Sequence, residues 1–242
     1  MVHANNDEML TVRNWEDWIE SKLQPIVAGI RQCKVYKEIY LVVGNEALAP
    51  WHVERFGAKL APCLREVHTA LERTRLADRV KLVTPLEMSV PGASYPPSAG
   101  QFSSKHKKVI EDVVRLLVMI GSPFCMNVYP YFAREHASRD FVLFGPDAGY
   151  SDGDKRYTNM FSAQYDATVS ALSKLGVEGA EAMEVVVTET GWPSGERGEG
   201  VVVVWLLDRR EYRGTPCLNE DYSMTLSFLL EATVELTLHS RL

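Results

Sequence analysis

Two glutamates stand at the ends of apolar runs: Glu189 in EVVVTETGWPSG (184–195) and Glu46 in YLVVGNE (40–46). A carboxylate that closes a buried-looking strand stands where the chain opens into a loop. Asn45 precedes Glu46, a third apolar run ends in Asn127-Val128-Tyr129-Pro130-Tyr131, and Trp192 follows Glu189 closely. Together these residue types are the inventory of a sugar site. Two carboxyl groups can serve as proton donor and as nucleophile or base, aromatic rings stack on pyranose faces, and amides bind hydroxyls. Glu87 and Glu184 read as solvated or paired acids, and each aromatic taken alone could also be ordinary packing.

Other chemistries lack their signatures. The six histidines show neither HxxxH nor HExxH spacing, and the four cysteines (Cys33, Cys63, Cys125, Cys217) contain no CxxC pair, so no metal site is expected. Asp152-Gly153-Asp154 is too short for a calcium loop and reads as a turn. There is no GxSxG elbow, which disfavours a serine hydrolase, and no GxGxxG or P-loop, which disfavours nucleotide binding. A net charge of −6 without basic runs argues against a nucleic-acid partner. The longest apolar stretch, VVVVWLL at 201–207, falls far below a membrane span, and MVHANNDEML shows no signal-peptide pattern.

The elements that must position these residues follow from periodicity. Apolar residues recurring every three to four positions predict helices over 13–30, 51–76, 106–120 and 159–175, the last stopping at Gly176. Continuous apolar runs predict strands at 38–44, 79–84, 122–129 and 184–189. Strands that are apolar throughout, alternating with helices, imply a parallel sheet covered on both faces. That pattern fits a doubly wound sheet or part of a (β/α)8 barrel, and periodicity alone does not choose. In either case function collects at the C-terminal strand ends, where both glutamates stand.

YLVVGNE, VKLVTPLEMSVPGASYPPSAGQF (80–102), GSPFCMNVYPYF (121–132), YTNMFSAQYDATVSALSKLG (157–176) and VVVTETGWPSG together resemble the plant glucan endo-1,3-β-glucosidases of glycoside hydrolase family 17. The resemblance spans about residues 35–195. It implies an α/β fold of the (β/α)8 TIM-barrel type and hydrolysis of internal β-1,3-glucosidic linkages with retention. It makes Glu46 the acid/base, Glu189 the nucleophile and Asn45 the partner of the sugar 2-hydroxyl, with Tyr129, Tyr131 and Trp192 binding substrate. The implied partner is a β-1,3-glucan of the callose or laminarin type, the implied location is secreted or cell wall, and the oligomeric state stays open.

Numbered by resemblance, strands 4–7 are expected, with strands 1–3 and strand 8 missing or altered. Residues 1–200 then form a partial barrel, and 201–242 form a divergent segment. Such an arc leaves edges unpaired, so the expectation is a truncated product with weak or absent activity. The competing expectations are a catalytically silent glucan-binding fragment and a β-1,3-glucan transglycosylase using the same carboxylates. Arg134 stands where the family often has an aromatic residue, which removes one sugar platform.

Overall fold

The computed structural model describes residues 1–33, 39–145 and 149–191, with side chains at 31–33 excepted. The expectations for 201–242 and for Trp192 lie outside the described residues. In chain order the elements begin with β1 (Val2–Ala4), α1 (Glu8–Thr11), α2 (Trp15–Trp18), a π-helical turn (Ile19–Leu23) and α3 (Gln24–Cys33). Then follow β2 (Ile39–Val43), α4 (Val53–Arg73), β3 (Val80–Val83), β4 (Pro85–Glu87), the hairpin β5 (Pro91–Ala93) and β6 (Gln101–Phe102), and α5 (Lys107–Met119). The rest comprises β7 (Phe124–Asn127), α6 (Arg139–Val142), the hairpin β8 (Tyr150–Asp152) and β9 (Lys155–Tyr157), α7 (Met160–Ser173) and β10 (Val185–Glu189).

Strand order decides between the two architectures the sequence left open. β1 pairs with β2 and β2 with β3, all parallel. β4 continues the β3 segment after Thr84 and pairs parallel with β7, which pairs parallel with β10. Spatial neighbours are therefore also sequence neighbours across five strand positions. A doubly wound sheet reverses its order at a switch point; this sheet never does, which is the winding of a (β/α) barrel.

Val2–Ala4 corrects the expectation that no barrel strand precedes 38–44. Three residues with one small and one polar side chain carry no apolar run, so only their ladder to Leu41–Val43 reveals the strand. The other strands and helices lie within a few residues of their expected bounds, except that 79–84 extends through β4 to Glu87.

The helices form where the sequence places one apolar stripe. On α4 the buried residues Phe56, Leu60, Leu64, Val67 and Leu71 recur every three to four positions and face the sheet. Asn14 caps α2 by accepting from the N–H groups of Glu16 and Asp17, and Asn159 caps α7 by accepting from Ser162 N–H. Gly176, with φ of +78°, ends the α7 segment as expected.

Leu41, Val43, Leu82, Phe124, Met126, Val185 and Val187 on one sheet face join these helices in the large core. The opposite face contributes a small second cluster, Tyr40, Val42, Val83, Cys125 and Val186, one layer across four adjacent strands. Successive residues alternate between the two clusters, as the pleat requires. Cys125 is an inert member of that layer, and burial pushes its thiol pKa up.

Candidate active site

The site is built at the C-terminal ends of β2, β7 and β10. Val43 is the last residue of the β2 ladder, after which Gly44 and Glu46 both adopt left-handed backbone, with φ of +68° and +51°. Glycine takes this conformation freely, whereas glutamate does so at a cost of about 1–2 kcal/mol. The turn is held from two sides. Glu46 N–H donates to Pro85 O at 2.9 Å. Asn6, just past β1, accepts from Asn45 N–H and donates to Asn45 O, both at 2.8 Å. His52 Nδ1 lies 3.3 Å from both Glu46 O and Asn6 Nδ2.

On β10 the ladder slips. Val187 pairs with Met126, yet Glu189 rather than Thr188 pairs with Asn127. In a regular strand, residues 188 and 189 would point to opposite faces. With one extra residue the backbone turns, as at β-bulges beside active sites, and both side chains reach groups of the β7 end. Thr188 Oγ1 donates to Asn127 Oδ1 at 2.7 Å, and Glu189 Oε2 accepts from Tyr129 OH at 2.9 Å.

Asn127 is the junction. Its Nδ2 donates to Glu46 Oε1 at 2.9 Å and to Asn45 Oδ1 at 3.2 Å, so both N–H donors and the oxygen are engaged. An amide only 1% exposed needs such partners. Burial pushes the Glu46 carboxyl above its ordinary value; the Asn127 N–H and His52 oppose the shift, and the charges of Glu189 and Glu87 add to it. Tyr129 is also pushed up, by burial first and then by Glu189, so it stays a neutral donor.

The structure brings together Asn45, Glu46, Tyr129 and Glu189 among the residues singled out in the sequence. Tyr131 lies on the short helix Pro130–Ala133, with Phe132 at 5.4 Å and the Arg134 guanidinium 4.0 Å over its ring. Arg134 therefore covers a ring face that the groove reading assigns to sugar. The sequence placed Asn127 at a strand end but not its bonds to Glu46, Asn45 and Thr188, and it did not single out Thr188, Asn6 or His52. One signal for Asn127 was available: an amide inside the apolar run FCMNVY. Among the described residues no group of His, Cys, Asp and Glu could hold a metal ion.

The strand ends thus present two carboxyl groups, Glu46 held towards its protonated form and Glu189 bonded by a phenol. The profile of glycosyl hydrolases family 17 matches residues 11–203, and the chain belongs to that family. It is 37% identical over 183 residues to glucan endo-1,3-beta-glucosidase 7 of Arabidopsis thaliana, covering 73% of this chain and 34% of that one. A glucan endo-1,3-beta-glucosidase of Vitis vinifera is 34% identical over 160 residues, covering 64% and 46%. The chain thus spans about a third to under half of the length of these relatives. Among solved structures, a beta-1,3-glucanase and allergen of Cryptomeria japonica pollen superimposes with a TM-score of 0.72 at 32% identity, covering 80% of this chain and 60% of that one.

Proposed function

We propose that this chain acts on β-1,3-glucan, hydrolysing internal β-1,3-glucosidic bonds with retention of configuration. Glu189 is the nucleophile: its carboxylate attacks the anomeric carbon as the bond to the leaving oxygen breaks. Glu46 is the acid that protonates that oxygen. Glu46 then takes a proton from the water that releases the sugar from Glu189. Retention calls for carboxyl groups about 5–5.5 Å apart; Glu46 is bonded by Asn127, the residue that pairs with Glu189 across the ladder. Asn45 serves the sugar 2-hydroxyl, Tyr129 orients Glu189, and Tyr131 and Trp192 border the groove. The substrate is of the callose or laminarin type, and the reaction uses no cofactor. On the family numbering β2 is barrel strand 4 and β10 strand 7, which makes β1 strand 3. The protein acts outside the cell or in the cell wall, a reading that the family membership supports.

The observation that carries this reading is the partly buried Glu46 with its raised proton affinity, bonded by Asn127 beside a tyrosine-bonded Glu189. Reducing-end release from laminarin tests it. The wild type releases reducing ends, and Glu189→Gln lowers kcat by on the order of 10³ or more because the covalent route is lost. Laminarin binding by both proteins without turnover would replace the enzyme with a glucan-binding module. Transfer to added glucan in place of water would make it a transglycosylase.

A further inference from the structure

The two glutamate-bearing strand ends are joined through Thr188, Asn127 and the Asn45–Glu46 pair, and of these links Thr188 and Asn127 have no role in the reaction proposed above. We propose that Thr188 is a positioning residue: by donating to Asn127 Oδ1 it anchors that amide with its N–H groups towards Glu46 and Asn45, and so orients both for the sugar. The inference rests on the reading of Glu46 as the acid/base.

Hydrogen-bond inventory leads to this assignment. An amide has one acceptor end and one donor end, and turning it over exchanges them. With Thr188 donating at 2.7 Å, the oxygen of Asn127 is occupied and its two N–H groups meet Asn45 Oδ1 and Glu46 Oε1. The consequence passes on to Asn45. Its oxygen is engaged by Asn127, so its own N–H donors remain for another acceptor, which a sugar hydroxyl oxygen supplies.

The reversed amide would set Asn127 Oδ1 against Asn45 Oδ1 and Glu46 Oε1, an arrangement tolerated at Glu46 only when that carboxyl carries a proton to donate. Orientation of a buried amide and protonation of the acid are therefore linked. A hydroxyl can donate or accept, so the preference for the donor orientation comes from Asn45 Oδ1 and the Glu46 carboxylate. Thr188 anchors the amide oxygen in that orientation, which favours the carboxylate Glu46 needs when it activates water. The placement is specific to the slipped register, since Thr188 is the residue of β10 skipped in the ladder to β7. The other groups acting on Glu46 are Glu189 and Glu87, which disfavour its charge, and His52, which favours it, with the Tyr129 phenol nearby.

The test is titration of Glu46 by carbon NMR of glutamate carboxyls, assigned with Glu46→Gln, in the wild type, Thr188→Val and Thr188→Ser. Valine keeps the shape and removes the donor; serine restores it. The expected result is an upward move of the Glu46 midpoint in Thr188→Val, equivalent to roughly a threefold or larger gain in proton affinity. Thr188→Ser should stay close to the wild type. Coincident midpoints in all three, with folding verified by near-ultraviolet circular dichroism, would overturn the proposal; so would a shift that serine fails to rescue. Laminarin hydrolysis is followed separately, with the alkaline limb of kcat expected to move with the midpoint. A moved midpoint without hydrolysis leaves the positioning role standing and removes the enzymatic reading.

Discussion

Replacing Gly44 by alanine tests whether the turn below Glu46 is held as described. Gly44 has φ of +68°, and an added Cβ would lie 2.5 Å from Met9 Sδ and 2.9 Å from Asn6 Oδ1. The left-handed backbone costs a residue with a β-carbon about 1–2 kcal/mol. Displacing Asn6 weakens its two 2.8 Å bonds to the Asn45 backbone, each worth about 1 kcal/mol. Met9 can swing aside at little cost, so the sum is about 3 kcal/mol. For a chain of this size that corresponds to a fall in melting temperature of roughly 6–12 °C.

Differential scanning calorimetry of the wild type, Gly44→Ala and Asn6→Ala reads the effect. Asn6→Ala loses the two bonds without the backbone strain and should fall by about 4–8 °C on the same scale. The two changes share a partner, so the double variant should lose less than the sum. If Gly44→Ala melts within about 2 °C of the wild type, the tight approach of β1 to the Glu46 turn is wrong and the reasoning fails.

The remaining expectations concern charge, helix propensity and the covered tyrosine. Because the pKa of Glu46 is raised on folding, the native state holds a proton that the unfolded chain has released, so stability falls as pH rises from the ordinary glutamate value to the raised one. Glu46→Gln cannot ionise, so its melting temperature should gain on the wild type across that window and stay constant relative to it above; a difference that moves in favour of the wild type as pH rises would contradict the sign. Gly29→Ala, in α3 with nothing within 4 Å of the added carbon, should stabilise by roughly 0.5–1 kcal/mol in urea unfolding. Arg134→Ala removes an exposed stacking contact worth about 0.5–1 kcal/mol. It should barely alter stability while freeing a face of Tyr131, seen as tighter laminarin binding by tryptophan fluorescence.

What the sequence made legible and what it hid follow from the range of the interactions involved. The helix stripe of α4 and the apolar runs of β2 and β10 are local, since burial acts on residues a few positions apart and leaves its period in the chain. The same runs end on Glu46 and Glu189, so the chemical types at the site were readable too. What makes those types a site is not local. Asn127 reaches Glu46 across 81 residues, Thr188 reaches Asn127 across 61, and Tyr129 reaches Glu189 across 60. Each contact depends on strand register, and at β10 on a slip of one residue that no periodicity records. A Thr-Glu pair on a regular strand would send one side chain to the helices and the other to the site. The slip sends both to the β7 end, so Glu189 meets a phenol and Thr188 meets the amide that bonds Glu46. Burial raises the proton affinity of Glu46 and the Asn127 N–H opposes that rise, so a substitution at Thr188, which bonds that amide, should be felt at Glu46 before it is felt at its neighbour Glu189.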